Sequence, residues 1–87
     1  GTYITVSDEE IIKAISELGT QGVFAEPAGA AAYAGLVKAT SLGVVGSEDP
    51  VLVINTGSGL KDVRAALQAV TPAPVIEPTL EAVKKIL

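Results

Sequence analysis

The stretch Val51-Leu52-Val53-Ile54-Asn55-Thr56-Gly57-Ser58-Gly59-Leu60-Lys61-Asp62 decides how the rest of the chain is read. It opens with an unbroken apolar run, Val51 to Ile54, closed by Asn55. Continuous rather than alternating hydrophobicity points to a strand covered on both faces, as in a parallel sheet. Thr56 to Gly59 then reads as a tight turn. Lys61 or Asp62 opens a helix through about Val70, with Val63, Ala66, Leu67 and Val70 on one side. A strand, a glycine turn and a helix in succession make half of a β-α-β unit.

The flanks repeat the pattern. On the N-terminal side, Pro27 suits the first turn of a helix that runs through the alanine-rich stretch Ala28 to Leu42 and stops at Gly43. Val23 to Ala25 precedes it as a brief strand. Further back, Ser7 with Glu10 three residues later forms a capping-box signature, and Asp8, Glu9 and Glu10 place negative charge at a helix N-terminus. Ile11, Ile15 and Leu18 recur on one face of that helix, and Gly19 is its expected stop. Thr2 to Val6 is β-branched and aromatic and reads as a strand. On the C-terminal side, Thr71-Pro72-Ala73-Pro74 is an extended linker, Val75-Ile76 a short edge strand, and Pro78 the start of a last helix with Leu80, Val83 and Leu87 on one face. The resulting order, β-α-β-α-β-α-(β)-α, predicts an α/β layered fold with a mainly parallel sheet and flanking helices, residues 1–87 forming a single domain or part of one.

Composition narrows the function. The chain has 87 residues, 48% of them hydrophobic and only 18% charged, against roughly 25% charged in a typical soluble domain. Its mean hydropathy of +0.48 is high for a small protein, and the excess predicts an apolar face that a partner covers. The net charge of −4 and six scattered Lys and Arg exclude a nucleic-acid surface. With no Cys and no His there is no disulfide framework, and no thiolate or imidazole metal site is expected. No stretch approaches the ~20 apolar residues of a membrane span, so the expectation is a soluble, cytoplasmic protein without a membrane partner.

Two places carry chemistry, and both lie where a strand ends, the position at which open α/β sheets bind ligands. The first is Asn55 to Asp62, where glycines let a ligand approach the backbone. A dinucleotide fingerprint fails there because Asp62 stands where the third glycine belongs. A P-loop fails because Leu60 separates Gly59 from Lys61 and no Ser or Thr follows. The second place is Phe24-Ala25-Glu26-Pro27-Ala28-Gly29-Ala30-Ala31, a carboxylate between a strand and a helix of small side chains. Taken singly, the first is a glycine turn or a close-approach site, and the second a solvated loop glutamate or a charge beside a ligand. The residues alone also leave open a non-catalytic small-molecule or anion-binding module, or a self-association domain.

Taken together, Val6 to Ile11, Gly22 to Ala31 and Thr56 to Asp62 resemble, in this order, the C-terminal part of threonine synthases, within the tryptophan synthase β-like group of pyridoxal 5'-phosphate (PLP) enzymes. The resemblance covers nearly the whole chain, and the Thr-Gly-x-Gly-Leu-Lys-Asp ending favours threonine synthases over dehydratase relatives. It implies a segment of a larger PLP-enzyme domain that is a lyase of threonine biosynthesis when intact and acts on a small amino-acid substrate. It implies that Thr56 meets the pyridine nitrogen of PLP, that Gly57 permits close approach to the ring, and that Glu26 lies near the cofactor. It implies no role for Lys61 and Asp62 beyond a structural pair near the helix start. The Schiff-base lysine and phosphate loop of the group belong upstream, so no catalytic residue is expected here and the segment alone is expected to be inactive. The upstream part of the same enzyme is the implied partner, with a homodimer of the intact enzyme as the association the group allows.

Overall fold

Ser7 starts the first ordered element. In the computed structural model, which describes all 87 residues, its hydroxyl accepts from the Glu10 backbone N–H at 3.1 Å, and its own N–H donates to Glu10 Oε1 at 2.9 Å. This complete capping box opens helix α1 (Asp8–Thr20). The helix ends at Thr20, one residue past the expected stop at Gly19, and Gln21 is its C-cap. The left-handed residue is Gly22, at φ 82°, and the Gly22 and Val23 amides donate to the carbonyls of Gly19 and Leu18. That pair of bonds is a Schellman end, and it falls where the left-handed conformation is adopted rather than at the first available glycine.

Helix α2 (Pro27–Ser41) begins with Pro27 in its first turn, as its sequence predicts. It closes the same way as α1, with Gly43 at φ 75° and the Gly43 and Val44 amides bonded to Thr40 and Ala39. The two helices pack through small side chains. Ala14 and Ile15 of α1 meet Ala30 and Ala34 of α2, together with Ala25 and Ala65, in a buried cluster flanked by Val6, Ile11, Ile12, Leu18, Tyr33 and Ala69. Lys38 Nζ of α2 stands 3.5 Å from Glu10 Oε1 of α1 and ties the pair on its rim. Beyond them a single 3₁₀ turn (Gly59–Lys61) leads into α3 (Val63–Gln68), and α4 (Leu80–Ile86) follows the proline-rich linker. Asp62 caps α3 by accepting from the Ala65 amide, and Thr79, rather than Pro78, caps α4.

The expected parallel sheet does not form within this chain. About half of the chain is helical (51%) and there is no strand. Thr2–Val6, Val51–Asn55 and Val75–Ile76 make no backbone–backbone hydrogen bond, and the one ladder contact is an isolated antiparallel bridge between Ala25 and Ser58. Val51–Asn55 was expected to be covered on both faces, yet Leu52 is 86% and Ile54 65% exposed. The physical reason is that a strand satisfies its amides only through a neighbouring strand, and none of these runs lies beside another. The shape agrees. The radius of gyration is 16.6 Å, against about 12 Å for a compact chain of this length. The accessible surface is 6595 Å², against about 4,800 Å² for a folded monomer of this mass. No helix is long and apolar enough to cross a membrane.

Candidate functional site

The Ala25–Ser58 bridge builds the site, because it joins the two stretches singled out in the sequence. The Glu26 amide donates to the Gly57 carbonyl at 3.1 Å, and the Gly59 amide donates to the Phe24 carbonyl at 2.9 Å. Residues 24–26 and 57–59 are thereby stitched side by side, although some thirty residues separate them in sequence.

Three glycines make this approach possible. A Cβ on Gly57 would overlap the Glu26 carboxylate, one on Gly59 would enter the Phe24 ring, and one on Gly29 would strike the Asn55 side-chain oxygen. The seam is therefore closed by a side chain from one strip lying on a bare Cα of the other, in both directions. Real Cβ atoms do not share space with such neighbours, so an alanine at any of the three requires the facing side chain to move.

Glu26 occupies the N-cap position of α2, yet its carboxylate makes no capping bond. It lies over Gly57, 19% exposed, with Lys61 Nζ 3.8 Å from Oε1. Thr56 is exposed, and its hydroxyl takes part in none of the chain's side-chain hydrogen bonds. Gly57 is half-buried between them. The three expected site residues, Glu26, Thr56 and Gly57, thus belong to one seam. Lys61 and Asp62 do not form a pair. Asp62 turns to the α3 amides and Lys61 turns back to Glu26. Sequence reasoning gave no packing role to Phe24, Asn55 or Gly29. Their only signal was adjacency to Glu26 and to the glycine turn.

Two apolar grooves lie apart from this seam. One, of about 520 Å³, runs between α1 and α3 and is floored by Ile15, Phe24, Val63, Leu67 and Val70. The other lies between α2 and the extended run Val51–Ile54. Neither includes Glu26, Thr56 or Gly57. No cluster of carboxylates is arranged to hold a metal ion.

Residues 1–57 match the model of the family described as pyridoxal-phosphate dependent enzyme, and the chain belongs to that family. Among curated relatives it is similar to the threonine synthase of Methanosarcina acetivorans, 35% identical over 88 residues, covering 100% of this chain and 22% of that protein. It is also similar to the threonine synthase of Methanocaldococcus jannaschii, 40% identical over 83 residues (94% and 20%), and to that of Mycobacterium tuberculosis, 44% identical over 79 residues (86% and 22%). The chain spans about a fifth of the length of the curated relatives it matches, in their C-terminal region. The family match stops at Gly57, whereas the similarity to the Methanosarcina threonine synthase extends over the whole chain, including Ser58 to Asp62.

The residues present fit one edge of PLP. Thr56 offers an exposed hydroxyl with no partner elsewhere in the chain, and Gly57 next to it offers a bare Cα on which the Glu26 carboxylate lies. A hydroxyl donates to a neutral ring nitrogen but, unlike a carboxylate, does not stabilise a protonated one.

Proposed function

We propose that this chain is the C-terminal part of a PLP-dependent threonine synthase, which in its intact form converts O-phosphohomoserine and water to threonine and phosphate. Thr56 would hold the pyridine nitrogen of the coenzyme, and Gly57, bare of a side chain, would let the Glu26 carboxylate stand beside it. The observation that carries the reading is the seam itself. It gathers Glu26, Thr56 and Gly57 at one place and leaves the Thr56 hydroxyl free. When bound, PLP supplies a ring that withdraws electrons from the substrate carbon. Thr56 would orient that ring by donating a neutral hydrogen bond, with no charge of its own to favour a protonated nitrogen. Glu26 supplies negative charge next to the ring edge, where it orders the seam and influences proton positions.

The upstream part of the same polypeptide is the proposed partner. Its strands pair with Thr2–Val6 and Val51–Asn55 to give the mainly parallel sheet of an α/β enzyme, and it contributes the Schiff-base lysine and phosphate loop. What supports this is the surplus accessible surface, the unpaired backbones of the two runs and the exposure of Leu52 and Ile54. By this reading residues 1–87 are part of a larger domain and have no activity alone.

The test is Thr56→Ala in the intact enzyme. Loss of one neutral hydrogen bond is expected to weaken PLP binding by about tenfold, read by fluorescence titration of the apoenzyme. Thr56→Asp is expected to make the absorbance of the bound coenzyme pH-dependent, because a carboxylate favours the protonated nitrogen. Unchanged affinity in the first variant together with an unchanged spectrum in the second would remove the assignment.

A further inference from the structure

We infer that Lys61 is a positioning residue. Its ammonium holds the Glu26 carboxylate down on Gly57 and so keeps Thr56 presented at the edge of the seam. This deepens, and rests on, the reading of Thr56 and Glu26 given above.

Glu26 has an alternative that it does not take. An acidic side chain at the N-terminus of a helix gains by turning to the unpaired amides of the first turn. Here it makes no capping bond and lies instead across the seam. A carboxylate that is only 19% exposed needs a compensating charge, and Lys61 is the cation within ion-pair reach of it. The other paired lysines are engaged elsewhere, Lys13 with Glu17 and Lys38 with Glu10.

Lys61 is well placed for the task because its backbone is pinned on both sides. The 3₁₀ turn that carries it is anchored at its start by the Gly59 amide on the Phe24 carbonyl and by the Leu60 amide on Ser58 Oγ. At its end, the Asp62 amide returns to the Gly59 carbonyl while the Asp62 side chain caps α3. From this fixed base the 65% exposed lysine side chain reaches back to Glu26. The seam is thus held by two backbone bonds, Glu26 to Gly57 and Gly59 to Phe24, and by charge from Lys61 to Glu26. Without the ammonium, Glu26 is free to turn to the α2 amides or to solvent. The face of Gly57 is then uncovered and the Thr56–Gly57 peptide loses its backing.

The test is a double-mutant cycle in the intact enzyme, with PLP affinity read by titration of the apoenzyme. Lys61→Met is expected to weaken PLP binding about fivefold, the scale of a mostly exposed ion pair. Lys61→Arg is expected to restore most of the affinity. In a Glu26→Gln background Lys61→Met is expected to be silent, because its partner charge is gone. Water-soluble carbodiimide on the apoenzyme gives a second readout: Glu26 and Lys61 should appear as a zero-length amide cross-link in peptide maps. If Thr56→Ala weakens binding while Lys61→Met and Glu26→Gln act additively, the inference about Lys61 is overturned and the Thr56 assignment stands. If Thr56→Ala changes nothing, the assignment fails and the inference falls with it.

Discussion

Residues 7–45 and residues 50–56 are similarly apolar, and they differ in what becomes of their backbone amides. Three of the four helix ends in the first region are closed by local bonds: a capping box at Ser7 and Glu10, and Schellman turns at Gly22 and Gly43. The second makes no backbone–backbone hydrogen bond at all. The difference teaches that hydrophobicity alone does not produce a folded element. A helix pairs its amides with carbonyls four positions away, so the backbones of α1 and α2 are satisfied locally. A strand pairs its amides with another strand, and Val51–Asn55 has none in reach. The backbone of one region is paired locally, and that of the other is left unpaired.

The largest expected effect sharpens that contrast directly. In the isolated chain, amides of residues 2–6 and 51–55 should exchange with solvent like those of an unstructured peptide, while the centres of α1 and α2 are protected. In the intact enzyme both runs should become protected. Protection of residues 51–55 in the isolated chain equal to that of α1 would break the comparison.

Next in size is Ala30→Leu. Ala30 is fully buried where α2 meets α1, and a larger side chain there should destabilise the helix pair by about 1–3 kcal/mol, measured as the change in exchange free energy across both helices. The matching change in the other region, Leu52→Ala, alters an 86% exposed side chain and should shift the isolated chain by less than about 0.5 kcal/mol.

The effect between these two in size concerns the start of α1. Ser7→Ala should loosen its first turn by about 1 kcal/mol, read from exchange of the N-terminal α1 amides. The wild-type turn should also weaken in acid. The Glu10 carboxyl is held below its ordinary value of 4.5, first by the Ser7 backbone N–H and further by Lys38, with desolvation opposing both. A lowered carboxyl contributes its stabilisation in full above the unfolded value and loses it as pH falls through the folded one. Protection of the first turn should therefore hold above pH 4.5 and decline below it. In Ser7→Ala this decline should be smaller. A flat profile in the wild type would remove the capping box from the account.

The outcome separates two kinds of residue. Ser7, Glu10, Pro27 and Gly43 act through neighbours a few positions away, so their roles were legible in the sequence. Gly19 misled because a glycine is only a permitted stop. The chain ended α1 at Thr20 and placed the left-handed residue of the Schellman turn at Gly22. The site was legible as two separate stretches carrying Glu26, Thr56 and Gly57. Lys61 and Asp62 read as a pair because they are adjacent, and they point to different partners because one faces the seam and the other a helix end.

By itself the sequence determined the helices, their caps and the family, since capping, periodicity and ordered motifs are local or linear properties. Only the tertiary structure decided that Glu26 crosses to Gly57 instead of capping α2, that Phe24 and Asn55 fill the space left by glycines, and that no sheet closes within these 87 residues. Those outcomes depend on which distant backbones lie side by side, and local residue patterns do not encode such pairings.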